Sequence, residues 1–259
     1  MSLEQPLYKN RQRALSFGGI ATQYDRARPW YPPALIDRLM EWSPHQVLDV
    51  GCGTGRASRL LMARGCDVIG VEPDASMAAI ARSHGVTVDD GTFEDWDPRR
   101  RMFDLVMSGQ AWHWVQPEAG TAGAVSVLRP GGHLAVFWNR GRHDPETGAA
   151  LDAVYARLAP SIAEPPATEL RPPMEVRDER HALKHSDRFS DLRAEEFTWD
   201  TTYDRAAWID LIATHSDHVT LPEAVRAALL AAIGDVIDGR GGRIPYHYST
   251  LLLVATRGR

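Results

Sequence analysis

The segment from Val47 to Leu61 reads VLDVGCGTGRASRLL: a short apolar run, a carboxylate at Asp49, then Gly51, Cys52, Gly53 and Gly55 in a small-residue loop before a helix-like stretch. Glycines in such a turn let the backbone approach a ligand closely. A dinucleotide fingerprint needs the spacing GxGxxG, because its third glycine lets the helix pack while the helix N-terminus faces a pyrophosphate. Here the spacing is GxGxG, and Arg56 stands where that third glycine would be. A carboxylate two residues before the first glycine repels a pyrophosphate and attracts an amino group or a sulfonium. The loop therefore points to a cationic cofactor that carries no phosphate.

S-adenosyl-L-methionine has that chemistry, with a positive amino group, a positive sulfonium and an adenosine. Further reactive groups follow in the chain. Glu72 ends the run VIGVE, about twenty residues past the loop, where an acidic residue takes ribose hydroxyls in dinucleotide folds. The stretch SGQAWHWV sets His113 between Trp112 and Trp114, an imidazole titrating near neutrality beside indoles that attract a sulfonium. Trp114 also fits a helix core. Arg140, Arg142 and His143 form a basic cluster that either meets an anionic acceptor or lies in a solvated loop. His215 and His218 in HSDH, and His181 and His185 in HALKH, have ligand spacing without a third ligand grouped with them. They read as surface helix ends, and no metal is expected.

These residues need elements to position them. Short branched apolar runs at Gln46 to Val50 and Asp67 to Val71 read as strands buried on both faces, joined by a helix from Gly55 to Arg64 that stops at Gly65. The alternation continues with a helix over Asp74 to Ser83 capped by Asp74, strands at Val86 to Asp89 and Phe103 to Ser108, and a helix over Pro117 to Leu128. A turn at Arg129 to Gly132 then leads into a strand at His133 to Trp138. The pattern predicts a doubly wound α/β sheet with right-handed crossovers. Beyond Asn139 it breaks: a helix at Gly148 to Leu158, a proline-studded stretch through Pro173, a strand at Glu196 to Thr202, helices at Asp204 to Thr214 and Pro222 to Asp235, and a last strand at Tyr246 to Thr256. The expected parts are an N-terminal helical lid (1–44), a cofactor-binding core (45–139), an insertion forming a substrate lid (140–191) and a C-terminal part of the sheet with two helices (192–259).

The 259 residues carry a formal charge of -5 and 44% hydrophobic content, which suits one large core and offers nucleic acid no basic footprint. Cys52 and Cys66 are too few for a disulfide framework, and no apolar stretch reaches membrane-spanning length. A cytoplasmic protein, monomeric or homodimeric, with no membrane partner is expected.

With these motifs in hand, the chain resembles the class I S-adenosylmethionine-dependent methyltransferases, in the small-molecule branch called methyltransferase type 11, and is similar to the trans-aconitate methyltransferase-like proteins. The resemblance runs over about Phe17 to Trp138 and more loosely through the C-terminal layout. It implies a Rossmann-like seven-stranded sheet in the order 3-2-1-4-5-7-6 with the last strand antiparallel. It also implies that Glu72 binds both ribose hydroxyls, that Pro73 and Met77 border adenine and ribose, and that Thr92 and Phe93 flank adenine. Thr92 departs from the family's usual Asp. Ser108, Gly109 and Gln110 match the stretch beside the methionyl portion. Tyr24, Arg28 and Tyr31, in FGGIATQYDRARPWYP, match a segment that folds over the cofactor, with Arg28 pairing with either the methionyl carboxylate or an acidic substrate. Trp112, Tyr31 and Arg140 are the expected substrate contacts.

Methyl transfer from a sulfonium is an in-line displacement, so alignment and exclusion of water supply most of the catalysis and S-adenosyl-L-homocysteine is the product. A hydroxyl acceptor needs a base, for which His113 is the candidate; a carboxylate acceptor needs none, and His113 then orients it. The expected acceptor is a small molecule, methylated at oxygen. Two other readings stay open: a cofactor-binding regulator without transferase activity, and an NAD-dependent oxidoreductase, which the glycine spacing and Asp49 disfavour.

Overall fold

The structure is a computed structural model that describes residues 7–9, 18–163, 183 and 186–258. His181, His185 and the stretch through Pro173 lie outside the described residues. Seven strands form one sheet: β1 (Gln46–Val50), β2 (Asp67–Glu72), β3 (Thr87–Asp90), β4 (Phe103–Gly109), β5 (Leu128–Arg142), β6 (Phe189–Asp204) and β7 (Arg243–Arg257). Their order is β3-β2-β1-β4-β5-β7-β6. The first five run parallel, and β7 pairs antiparallel with both β5 and β6. This is the sheet that the alternating pattern and the resemblance predict.

Successive side chains of a strand face opposite sides of a sheet, so a run such as Val47-Leu48 must be covered on both. Leu48 and Val50 face one core with Phe93, Val106, Trp112 and Val136. Val47 joins Leu35, Leu39, Leu61, Leu105 and Phe137 on the other. The covering helices are α1 (Ala21–Ala27), α2 (Pro33–Met40), α3 (Arg56–Met62), α4 (Ala75–Ser83) and α5 (Pro117–Val127). Asp74 caps α4 as predicted, accepting from the backbone N–H groups of Ser76 and Met77. Gly55, at φ +78°, turns the chain from the loop into α3, and a Cβ there would lie 2.8 Å from a Val86 methyl. The helices α6 (Pro145–Leu158), α7 (Arg205–Ile212), α8 (Ser216–Val219) and α9 (Glu223–Asp238) follow. A third core forms where α6, α7 and α9 meet, around Leu151, Trp208, Ile212, Leu229 and Ile233.

Two expectations change. The turn at Arg129 to Gly132 does not precede the strand; it lies inside β5 as an irregularity, with Phe103 opposite Leu128 and Leu105 already opposite His133. Gly131, at φ +81°, supplies the reversal that lets the ladder resume. At its other end β5 continues past Trp138 to Arg142, paired with β7 as far as His247, so the boundary set after Asn139 falls within a strand. α1 is moored to the C-terminal helices: Arg26 pairs with Asp210 at 2.8 Å, and Gln23 donates to the same carboxylate at 3.3 Å.

Candidate functional site

At the carboxyl ends of β1, β2 and β4 lies a cavity of about 580 Å³, a size that suits a nucleoside with a side chain. The glycine loop forms its floor. Of the residues singled out in the sequence, Asp49, Gly51, Cys52, Gly53, Glu72, Pro73 and Met77 line it, as do Thr92, Phe93, Gly109, Gln110 and His113, and Tyr24, Arg28 and Tyr31 from the N-terminal segment. Two carboxylates dominate its chemistry.

Asp49 is 1% exposed. Its Oδ2 accepts from the Ser58 hydroxyl at 2.6 Å, whereas Oδ1 is buried without a partner. Burial, with the nearby Glu72 charge adding to it, pushes the carboxyl up to about 7. Glu72 accepts from the backbone N–H of Gly53 at 2.8 Å and of Asp74 at 2.9 Å, which fixes its carboxylate against the loop. Burial raises it to about 7 as well. Two buried acids at one end of a cavity, one with an orphaned oxygen, suit a ligand that brings positive charge and hydroxyl donors. An ammonium or sulfonium satisfies the first and a ribose the second, so these residues fit S-adenosylmethionine.

The remaining walls follow from local geometry. Phe93 serves two purposes, lining the cavity and packing against Trp96 and Trp112 in the core. The Thr92 hydroxyl donates to Asp95 at 2.7 Å. Gln110 sits at φ +60°, a strained conformation for a side-chain-bearing residue, and is held by a bond from its Nε2 to the Asn139 carbonyl at 2.9 Å. Gly109 keeps space for Tyr31, since a Cβ there would lie 2.5 Å from the Tyr31 hydroxyl. Arg28 lies 4.9 Å from the Tyr24 ring and donates from Nη2 to the Thr214 carbonyl at 2.9 Å.

His113 lies in a 3-10 turn, Trp112–Trp114, right after β4. The indole of Trp138 donates to its Nδ1 at 3.2 Å. Indole nitrogen can only donate, so Nδ1 is the acceptor and the proton of the neutral ring sits on Nε2.

Several of the singled-out residues lie outside the cavity wall. Trp112 is completely buried in the core against Phe93, so it does not line the cavity, whereas its neighbour Trp114 does. Ser108 is buried and spends its hydroxyl on the Val50 carbonyl at 2.7 Å. Gly55 acts through the turn described above. Arg140 sits within β5 opposite Ser249 and Arg142 two residues on opposite His247, so the two arginines share a side of the strand, and His143 lies just past its end. His143 packs between Trp208 and Tyr246, where burial pushes it down to about 4.

The sequence reading missed several contributors. Arg56, directly after the loop, lines the cavity and is only 7% exposed, with its guanidinium 4.0 Å from the Trp30 ring. Asn139, Gly141 and Tyr246 come from the extended ends of β5 and β7. His215, Ser216 and Asp217 form a far wall, so the HSDH segment is no surface helix end. Asp217 is the third group of that segment: ligand atoms of His215, Asp217 and His218 lie within 4.8 Å of one another. His218, however, is bonded through Nδ1 to Asp217 at 2.7 Å and through Nε2 to Tyr155 at 2.8 Å, which ties α8 to α6. Only the adjacency of two His and an Asp could have signalled this.

Comparison with known proteins agrees with this geometry. A family model described as a methyltransferase domain matches residues 47–132. An uncharacterised methyltransferase of Mycobacterium tuberculosis is 31% identical over 250 residues, covering 91% of this chain and 94% of that one. A trans-aconitate 2-methyltransferase of Mycobacterium ulcerans is 30% identical over 144 residues, 53% of this chain and 54% of that one. Among solved structures, a protein of Anaeromyxobacter dehalogenans described as a type II methyltransferase superposes with a TM-score of 0.65 at 26% identity, covering 90% of this chain and 97% of that one. With the sheet order, the acid-lined glycine loop and a relative matched over nearly its whole length, the chain belongs to the class I S-adenosylmethionine-dependent methyltransferases.

Proposed function

We propose that the chain methylates a carboxylate oxygen of a small organic acid by direct in-line transfer. The observation that carries this reading is the bond from the Trp138 indole to His113 Nδ1. A general base needs a lone pair turned toward the proton it takes. His113 has its lone pair committed to Trp138 and its proton on the other nitrogen, so its role is to donate. A carboxylate acceptor needs a donor to orient it and no base to deprotonate it. The relative named for trans-aconitate has an acid as its named substrate, in keeping with this choice.

The cofactor supplies an electrophilic methyl group on a sulfonium. Asp49 receives the ammonium end through its unpartnered Oδ1, and Glu72 receives the ribose hydroxyls. Pro73, Met77, Thr92 and Phe93 hold the adenine, and Gly109 and Gln110 run beside the methionyl part. Tyr24 and Tyr31 close over this arrangement and exclude water, so nearly all of the acceleration comes from alignment. The N-terminal segment and the stretch after β5 serve as lids in this reading, and two free cysteines suit a reducing, cytoplasmic setting.

The test is methyl transfer to matched panels of small carboxylic acids and phenols, with ester and ether products resolved by mass. Ester formation, reduced in His113→Ala and kept in part by His113→Asn, which retains a donor, is the expected result. Ether formation lost in His113→Ala, with acids left untouched, would assign His113 as a base and refute the carboxylate reading. Cofactor binding with no transfer to either panel would favour a regulator.

A further inference from the structure

The wall formed by His215 and Arg28 belongs to neither the glycine loop nor the His113 turn. Glu72 ends β2, on one side of β1 and β4, whereas Asn139, Gly141 and Tyr246 rise from β5 and β7 on the other side. His215 lines the same cavity from the N-terminus of α8.

Three observations bear on what this wall takes. Arg28 is moored to residue 214 through its Nη2, and its buried Nε has no hydrogen-bond partner. Among the described residues no carboxylate pairs with Arg28. The His215 ring makes an edge contact with His218, 5.7 Å between centroids, but neither of its nitrogens is hydrogen-bonded among the described residues. Burial, reinforced by the Arg28 charge, pushes His215 down to about 3, so the ring faces the cavity neutral with one N–H to offer. A guanidinium with N–H groups left over after its bond to residue 214 and an imidazole N–H on the same wall are complementary to a carboxylate.

We propose that Arg28 and His215 form a second carboxylate subsite, so that the acceptor carries one carboxylate held here and another presented to the methyl group beside His113. This rests on the acid-acceptor reading above and narrows it to di- and tricarboxylates. Arg28 is thereby assigned to the acceptor rather than to the methionyl carboxylate, and both residues are specificity-determining groups.

The test is calorimetric titration of the S-adenosylhomocysteine-loaded protein with glutarate, adipate and trans-aconitate, and with monomethyl glutarate as the single-carboxylate control. The wild type is expected to bind at least one of the three polyacids, and more tightly than the monoester. His215→Ala and Arg28→Gln are expected to weaken that binding about tenfold or more, the worth of a hydrogen bond to a charged group, with S-adenosylhomocysteine affinity unchanged. His215→Gln, which keeps an N–H, is expected to restore part of the loss. Unaltered S-adenosylhomocysteine affinity also certifies that each variant is folded. Equal binding of polyacid and monoester, or polyacid binding indifferent to both substitutions, would overturn the subsite. So would binding of none of the acids by a wild type that binds S-adenosylhomocysteine. A loss of S-adenosylhomocysteine affinity in Arg28→Gln would return Arg28 to the cofactor and overturn the pair. Ester formation on a monoacid with no polyacid binding would overturn the subsite alone and leave the proposed reaction standing.

Discussion

Replacing Asp49 by Asn should stabilise the free protein while weakening its hold on the cofactor. In the free chain the Asp49 carboxyl is pushed from 3.8 up to about 7. At about 1.4 kcal/mol per unit, keeping it ionised inside the fold above neutral pH costs on the order of 4 kcal/mol. An Asn at this position keeps an oxygen for the Ser58 hydroxyl and leaves its amide facing the cavity, where an unpaired polar group costs about 1–3 kcal/mol. The difference leaves the variant about 1–3 kcal/mol more stable, a rise in Tm of roughly 2–12 °C for a chain of this size. Binding moves the other way: loss of a charge-assisted bond of about 1.5–3 kcal/mol raises the Kd for S-adenosylhomocysteine by roughly 10- to 150-fold. Thermal unfolding with and without ligand, together with calorimetry, measures both. A free variant that melts below the wild type, or one that binds S-adenosylhomocysteine as tightly, would refute the reasoning.

The same carboxyls set the pH response. Because Asp49 and Glu72 are raised to about 7 in the folded chain, it holds more protons than the unfolded chain between about pH 4 and pH 7, and the free protein loses stability as pH rises through that window. A bound cation removes the penalty, so the ligand-induced gain in Tm should grow from pH 5 to pH 8. Binding at pH 7 should release protons, read from calorimetry in buffers of different ionisation enthalpy; proton uptake would contradict this. Glu72→Gln turns an NH₂ toward one of the backbone N–H groups of Gly53 and Asp74. S-adenosylhomocysteine affinity should fall about tenfold or more, and an unchanged Kd would remove Glu72 from the site. Trp112→Phe should leave ligand affinities intact, since Trp112 is a core residue, whereas Trp112→Ala should cost about 3–5 kcal/mol of stability by urea unfolding. A selective rise in acceptor KM in Trp112→Phe would restore it to the substrate wall.

The half of the site proposed for the cofactor is legible in the sequence because its determinants are local. The β1 run, the Gly51–Gly55 loop and the Asp74 cap each lie within a few residues, and each strand end delivers its functional residue directly into the cavity. The opposite wall was hidden for the converse reason. His215 meets Arg28 only because α1 is bonded to α7, a contact between residues some 180 positions apart, as in the Arg26 to Asp210 bond at a separation of 184. Trp112 and Trp114 were exchanged because two aromatic residues around a short turn do not reveal which one faces inward. The basic cluster after β5 misled because an arginine in a loop and an arginine in an unbroken strand look alike when the strand's partner, β7, lies over a hundred residues away.

The long antiparallel end of the sheet has a consequence for how this scaffold can vary. β4 stops at Gly109, opposite Phe137, while β5 and β7 run on together from Trp138 to Arg142. Those five paired residues raise a parapet of about 16 Å beside the cavity. A parallel strand cannot change length without disturbing a crossover, but an antiparallel ribbon can gain or lose a matched pair of residues at its tip and keep its register. Asn139, Gly141 and Tyr246 stand on that ribbon, and Asp49 and Glu72 do not. Chamber depth and cofactor capture are thus separately heritable, and insertion of one residue pair beyond Gly141 would remodel the first without touching the second.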